Sequence, residues 1–280
     1  MSAVVPGARR ALVLPRWRPG AVPALIAAVV LALLLLAALW PSLIAPGSPT
    51  ATDARAGTLP PGAEHWFGTD RSGRDVFTRV VHGAGASLGL GLGATGLALV
   101  AGGLLGTLAG LAPRRVDGVL ARAVDVLMAL PEFLVALLLI AILGPGTGSV
   151  LVAVALAAVP AYARVARVRT QQLARSAFVE SALVLGQRPW KRMLRHVLPN
   201  LLGPLLTMAA LGLGTAIVSA AGLGFLGLGA TPPAPEWGVL LSEGRNLLGT
   251  AWWVAVFPGA AITVSVVCAS VLGRWLGGRR

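Results

Sequence analysis

Long apolar runs with few charged residues alternate with short polar segments along the chain. Six of these runs approach or exceed the length of a membrane-spanning helix, which needs about 20 apolar residues. They cover residues 23–45, 85–112, 119–143, 149–168, 198–226 and 248–272. None has the strict alternation of polar and apolar positions that marks the strands of a membrane barrel. The pattern predicts an all-α, polytopic membrane protein with six transmembrane helices.

Composition supports this fold class. Hydrophobic residues make up 56% of the chain and charged residues only 12%, whereas about a quarter of a soluble domain is charged. Glycine occurs 36 times, and small residues let transmembrane helices approach closely. In the second run Gly89 and Gly93, and then Gly102, Gly106 and Gly110, recur every four residues. This spacing places them on one helix face, which is predicted to pack against another helix.

Basic residues are distributed asymmetrically between the segments that join the runs. If the N-terminus is cytoplasmic, all but five of the 23 basic residues fall on the cytoplasmic side. This excess is the positive-inside pattern, so both termini are predicted to be cytoplasmic. The net charge of +13 then follows from topology and anionic lipid, and no nucleic-acid partner is expected. The five basic residues on the outer side are Arg55, Arg71, Arg74, Arg79 and Arg245.

The first run could instead be a cleaved signal peptide, because four arginines precede it. The run is about 23 residues long and no A-x-A cleavage site follows it, so an uncleaved helix is predicted. The expected organisation is a cytoplasmic tail (1–22), a first transmembrane helix (23–45), an extracytoplasmic loop (46–84), a core of five transmembrane helices (85–275) and a cytoplasmic tail (276–280).

An interfacial helix is predicted within that loop, over residues 67–82. Its apolar side would carry valines and a phenylalanine, and its polar side would face water. The apolar side comprises Val76, Phe77, Val80 and Val81, and the polar side Arg74, Asp75, Thr78 and Arg79.

Several catalytic motifs are missing from the sequence. The only lysine, Lys191, has no glycine-rich loop before it, so the chain has no P-loop for nucleotide hydrolysis. No HExxH, GxSxG or paired-cysteine motif occurs, and Cys268 is the single cysteine. The chain is therefore expected to be no enzyme and to hold no cofactor or metal. A secondary active transporter remains an alternative, although such carriers show inverted repeats and more buried ionisable groups.

A compact amphipathic segment, residues 173–197, interrupts the apolar pattern. Ser176 is predicted to cap a short helix, and Gly186 to end it in the left-handed conformation. Pro189 suits the first turn of a second helix, and Leu198-Pro199-Asn200 is predicted to break that helix before the fifth span. We call residues 173–197 the elbow. From physical chemistry alone it is either an interfacial helix resting on lipid or a docking surface for a soluble partner.

Two acids lie at membrane depth in the third run. Asp125 and Glu132 are predicted to share one helix face with Arg122. An intramembrane acid is a candidate functional residue. The structural alternative is that Glu132 pairs with Arg122 or with an arginine of the fourth span.

Three segments together resemble a known family. Glu180-Ser181-Ala182, Gly186 and His196-Val197-Leu198-Pro199-Asn200 resemble the EAA loop of bacterial ABC importer permeases. The segments 65–75, containing HWFGTD and GRD, and 225–238, containing FLGLG and PPAPEWG, resemble the C-type permeases of the dipeptide/oligopeptide/nickel group. The sequence departs from the family at Ser181, which replaces the usual first alanine. It departs again at Ala220, where many relatives carry a glutamate.

The resemblance implies a type I-like importer subunit in the bacterial inner membrane. Its implied partners are a second, B-type permease, two P-loop ATPases and an extracytoplasmic solute-binding protein, besides membrane lipid. The implied substrates are peptides, nickel complexes or other small solutes. The elbow would be the coupling helix that contacts an ATPase. The implied coupling residues are Glu180, Ser181, Ala182, Gly186, His196, Pro199 and Asn200.

Overall fold

The computed structural model describes residues 21–277, which contain helices and irregular segments and no β-strand. Residues 1–20 and 278–280 lie outside the described residues. The predicted N-terminal tail (1–22) and C-terminal tail (276–280) therefore fall mostly outside the described part. The helices are α1 (Ala21–Leu39), α2 (Pro41–Ile44), α3 (Val76–Leu111), α4 (Arg114–Met128), α5 (Glu132–Leu143), α6 (Thr147–Ala174), α7 (Ala177–Val184), α8 (Pro189–Arg192), α9 (Leu198–Phe225), α10 (Trp237–Gly244) and α11 (Trp253–Gly277). A π-helical segment covers Met193–Val197 and a 3-10 turn covers Arg245–Leu247.

Within residues 21–277, five helices are long and apolar enough to cross a membrane. They are α1, α3, α6, the continuous helix Pro189–Phe225, and α11. A sixth span exists if α4 and α5 are counted together, although these two helices meet at 92°. The all-α polytopic fold predicted from the apolar runs is confirmed.

The third apolar run is not the single helix that was predicted. Pro131 lies between α4 and α5, where its ring disfavours helical backbone at Leu130 and it offers no N–H. The helix therefore ends at Met128 and resumes at Glu132 in a new direction. As a consequence, Asp125 and Glu132 do not share a helix face.

The separate interfacial helix predicted over 67–82 is also wrong. Helix α3 begins at Val76 and continues to Leu111 without interruption, and the Asp75 side chain caps it by accepting from the Thr78 N–H at 2.7 Å. Its 36 residues correspond to roughly 54 Å, more than the hydrocarbon core of a bilayer. The first turns are thus the projecting end of a long span. Arg79, predicted to face water, is only 1% exposed.

Helices α3 and α6 pack through glycines. A Cβ atom at Gly106 would lie 2.1 Å from the Ala163 carbonyl oxygen, and one at Gly102 would lie 2.5 Å from the Tyr162 Cβ. The predicted glycine face is confirmed around Gly102 and Gly106, where any side chain would push α3 and α6 apart. It does not extend to Gly89, where a Cβ would meet nothing within 4 Å.

We call the two ends of the bundle the elbow end and the loop end. At the loop end, residues 45–75 pack against the segment between α9 and α11. The Trp253 indole donates to the Thr69 carbonyl at 3.0 Å, and the Trp237 indole donates to the Val80 carbonyl at 2.9 Å. Both indoles are buried, so these bonds fix the two loops to each other and to α3.

Candidate functional site

The elbow reverses direction at Gly186. This residue has φ of 73°, the left-handed value predicted from the sequence. The Gln187 N–H donates to the Ala182 carbonyl at 3.0 Å, and the Gly186 N–H donates to the Leu183 carbonyl at 2.9 Å. This pair of bonds is a Schellman motif. A Cβ at Gly186 would meet nothing within 4 Å, so glycine is favoured here by the backbone conformation and not by lack of space.

The start of the elbow differs in detail from the prediction. Ser176 occupies the N-cap position of α7, but its hydroxyl does not bond to a free N–H of the first turn. It donates instead to the Leu173 carbonyl of α6 at 2.5 Å. Ser176 therefore links the end of α6 to the start of the elbow.

The predicted break at Leu198-Pro199-Asn200 is wrong. Helix α8 starts with Pro189 as predicted and passes through the π-helical segment Met193–Val197 directly into α9. The Leu198 N–H donates to the Met193 carbonyl, five residues back. This widened turn accommodates Pro199, which has no N–H for the regular pattern. The second arm of the elbow is thereby continuous with a transmembrane helix.

The predicted coupling residues lie in the elbow, except for Pro199 and Asn200 in the first turn of α9, and they differ in exposure. Glu180, Ser181, Gly186, Pro199 and Asn200 are exposed. Ala182 is buried against the bundle. His196 is half-buried and bridges the two arms, with its Nε2 atom 3.3 Å from the Gln187 Oε1 atom.

The outer surface of the elbow is apolar. Six large hydrophobic side chains of the elbow are exposed, and Val184 and Leu185 are exposed by 87% and 78%. Glu180 lies one turn before Val184 on α7 and makes no ion pair with any residue between 21 and 277. Large exposed apolar side chains grouped in one segment are candidates for an interaction site. We call it the elbow face, comprising Glu180, Leu183, Val184, Leu185, Trp190 and Leu194.

The two acids predicted to lie within the membrane have different surroundings. Asp125 on α4 forms an ion pair with Arg164 of α6. Glu132, the first residue of α5, forms no ion pair with any residue in the described part of the chain. The expectation that Glu132 pairs with Arg122 or an arginine of the fourth span is therefore wrong. After Pro131 the chain continues in a new direction from Glu132, and Arg164 pairs with Asp125 instead.

Glu132 instead borders a cavity of about 260 Å³ between α3, α5, α6 and α9. Two buried hydroxyl groups, those of Tyr162 and Thr95, line the same cavity. Neither residue was predicted as a site residue from the sequence. Tyr162 carried one usable signal, since it is the only tyrosine of the chain and lies within an uncharged run.

The family of this chain is identified by a sequence match that covers more than half of its residues. Residues 102–280 match the family described as binding-protein-dependent transport system inner membrane component. The chain belongs to this family. It is a multi-pass membrane protein and a permease subunit of an ABC importer, and the resemblance to C-type permeases drawn from the three segments is confirmed.

Curated relatives in this permease family are similar over most of their length. The dipeptide transport system permease protein DppC of Alkalihalophilus pseudofirmus is 39% identical over 253 residues, covering 90% of this chain and 83% of the relative. The probable D,D-dipeptide transport system permease protein DdpC of Escherichia coli is 39% identical over 88% of this chain and 83% of the relative. The glutathione transport system permease protein GsiD of Escherichia coli is 41% identical over 77% and 71%.

In this permease, Glu236 links the segment that contains PPAPEWG to α10 and α3 through hydrogen bonds. Its carboxylate accepts from the Gly238 and Val239 N–H groups at 2.8 and 3.0 Å, and so caps α10. The Ser87 hydroxyl of α3 donates to the same carboxylate at 3.2 Å. Burial raises the pKa of Glu236, while the two backbone N–H groups and Ser87 act in the opposite direction.

Proposed function

We propose that this permease imports peptides as one of two membrane subunits in an ATP-driven complex. The other parts are a B-type permease, two P-loop ATPases and an extracytoplasmic binding protein. The peptide assignment is supported by the names of the relatives, which are permeases for dipeptides, D,D-dipeptides and glutathione. The chain itself contains no P-loop, so the energy must come from a partner.

The observation that carries the ATPase partnership is the composition of the elbow face. A helix that rests on lipid keeps its apolar side free of acids and displays lysine and arginine on the other side. Here Glu180 lies on the same side of α7 as Leu183 and Val184, three and four positions away. Burying this carboxylate in an acyl layer is unfavourable, whereas a protein groove with a cation can meet both the acid and the apolar residues.

The elbow is well placed to pass on a movement. Its first arm is anchored through buried Val179 and Ala182, and its second arm continues into α9 as a single helix. A shift of an ATPase bound to the elbow face therefore moves a transmembrane helix directly. Shear between packed helices is an established route for such changes.

Charge supports placing the elbow end, and with it both termini, in the cytoplasm. At the loop end, Arg74 and Arg79 are ion-paired with Asp70 and Glu243, and three arginines form no ion pair among the described residues: Arg55, Arg71 and Arg245. At the elbow end, the exposed Arg188 and Arg195 have no acidic partner among the described residues. Unpaired basic residues near helix ends are retained on the cytoplasmic side.

The test is reconstitution of the whole complex in vesicles. We expect uptake of the dipeptide Ala-Ala that requires ATP, the ATPases and the binding protein. Uptake that proceeds without the ATPases and follows an imposed proton gradient would overturn this proposal in favour of a secondary transporter. A complex without this permease is the matched control.

A further inference from the structure

The cavity beside Glu132 lies near the middle of the helix bundle. Thr95 is midway along α3, and Tyr162 is midway along α6. Both are buried, at 8% and 3% exposure, whereas Glu132 is exposed and lies at the rim. The walls between these groups are mostly apolar, formed by residues such as Ala94, Val154, Met208 and Leu211.

Two of the polar groups in this cavity lack a hydrogen bond. Neither the Tyr162 Oη atom nor the Thr95 Oγ1 atom has a partner within residues 21–277. Buried hydroxyls are nearly always bonded, and an unmet one is costly. The third hydroxyl of the cavity, on Thr215, is different because it donates to the Gly212 carbonyl of its own helix at 2.8 Å. Thr95 and Tyr162 are thus the two groups left free for a ligand.

Gly212 keeps the tyrosine hydroxyl accessible. A Cβ atom at this position would lie 2.4 Å from the Tyr162 Oη atom, far inside contact distance. Any side chain at position 212 would displace the hydroxyl. The glycine therefore leaves a space over the one polar atom that Tyr162 presents.

Charge identifies the chemical class of the ligand. Glu132 brings a carboxylate without a cationic partner among the described residues, and the two hydroxyls can each accept a hydrogen bond. A primary ammonium group carries three N–H donors and one positive charge, which matches one carboxylate and two hydroxyl acceptors. A metal ion is a poorer match, since no cluster of three or more His, Cys, Asp or Glu side chains occurs within residues 21–277.

We propose that this cavity binds the α-ammonium group of the peptide during its passage. The assignment rests on the proposed function as a peptide importer. Its volume, about 260 Å³, is just below the 300–1,000 Å³ of pockets that enclose a whole small ligand. It therefore holds the charged end of the peptide and leaves the remainder outside the pocket. The site selects for a free N-terminus at membrane depth, independently of the binding protein.

The experiment compares two substrates in the reconstituted complex. One is Ala-Ala, and the other is lactyl-alanine, in which a hydroxyl replaces the ammonium group. Uptake of each is measured in wild type, Glu132→Gln and Tyr162→Phe, always with the same binding protein, so that its own preference cancels. Phosphatidylglycerol vesicles are used because this lipid carries no ammonium group. The lipid then cannot supply the ammonium group that occupies the cavity.

We expect both variants to slow Ala-Ala uptake about tenfold and lactyl-alanine uptake much less. The ratio of the Ala-Ala uptake rate to the lactyl-alanine uptake rate is therefore smaller in both variants than in wild type. Thr215→Val is the matched control, because its hydroxyl is already bonded, and discrimination should persist. Tyr162→Phe preserves shape, which keeps the test valid if Glu132→Gln assembles poorly. Equal slowing of both substrates, or no change in either, overturns the ammonium site while wild-type uptake upholds the proposed function. Absence of Ala-Ala uptake by wild type overturns both.

Discussion

Arg79 donates to Asp70 at 2.8 Å in the interior of the loop end, where the arginine is almost completely buried. The same guanidinium also pairs with Glu243, which is 164 positions away in the sequence. The network joins the loop before α3 to helix α10. The carboxylate of Asp70 is further bound by Arg74 at 2.6 Å and by the Ser72 N–H at 2.8 Å.

Removing one member of this network should destabilise the loop end. We expect Asp70→Asn to lower the free energy of unfolding by about 3 kcal/mol, because it removes one of the two carboxylates that pair with the buried Arg79. The measurement is thermal unfolding of the purified permease complex. Arg71→Ala is the matched control, since Arg71 is exposed and in none of the ion pairs of the described residues. Equal stability of Asp70→Asn and wild type would show that the network is not stabilising.

Gly186 and Glu180 should couple the ATPases to transport without being needed for folding. Gly186→Val forces a side chain into left-handed backbone at a cost of about 1–2 kcal/mol, which tilts α7. Glu180→Lys reverses the charge on the elbow face. Both variants should insert and pair with the second permease, yet retain the ATPases poorly in a pull-down and show weak substrate-stimulated ATP turnover.

Two control variants sharpen this test. Gly186→Asn should retain the ATPases better than Gly186→Val, because asparagine tolerates the left-handed conformation. Ser181→Ala should behave like wild type, since its hydroxyl donates only to the Ala177 carbonyl of its own helix at 2.8 Å. Normal ATPase retention in Gly186→Val and Glu180→Lys would leave the elbow as a helix that rests on lipid.

The orientation of the chain can be tested with reporters. A reporter fused after Gly57 lies in the loop end, and one fused after Arg280 follows the last helix. We expect an extracytoplasmic signal from the first fusion and a cytoplasmic signal from the second, because unpaired basic residues concentrate at the elbow end. The opposite pair of signals would invert the proposed topology.

Stability should depend on pH through Glu236. Burial raises its pKa in the folded protein above the ordinary carboxyl value, so the folded state keeps this proton to higher pH than the unfolded state. The contribution of the Glu236 carboxyl group to the free energy of unfolding is therefore largest at low pH. It falls as the pH rises from about 4.5, the ordinary carboxyl region, through the raised pKa.

Glu236→Gln removes this titration and keeps an oxygen acceptor for the α10 N–H groups. We expect thermal unfolding between about pH 4 and pH 8 to show a smaller decline in the variant than in wild type. Glu236→Ala, which loses the cap as well, should cost about 1 kcal/mol more at every pH. If the unfolding temperatures of wild type and Glu236→Gln decline equally with pH, the pH dependence does not arise from the Glu236 carboxyl group.

Features governed by local rules were predictable from the sequence. The apolar runs identify the spans because a backbone in lipid must satisfy its own hydrogen bonds, which restricts it to helices. Gly186 was placed in the left-handed region and Pro189 at a helix start because each depends on its own backbone conformation. The glycines of α3 at positions 102, 106 and 110 predicted a packed face from spacing alone.

The tertiary structure decided what depends on partners distant in sequence. The pattern around Arg79 places it on a water-facing side, and only Asp70 and Glu243 explain its burial. Pro131 signals a break, but the direction of α5, which meets α4 at 92°, is set by packing. Glu132, Tyr162 and Thr95 come from three helices, and their shared cavity exists only because those helices converge. A sequence pattern records which faces are apolar, whereas the partner of each face is determined by the packing of the whole bundle.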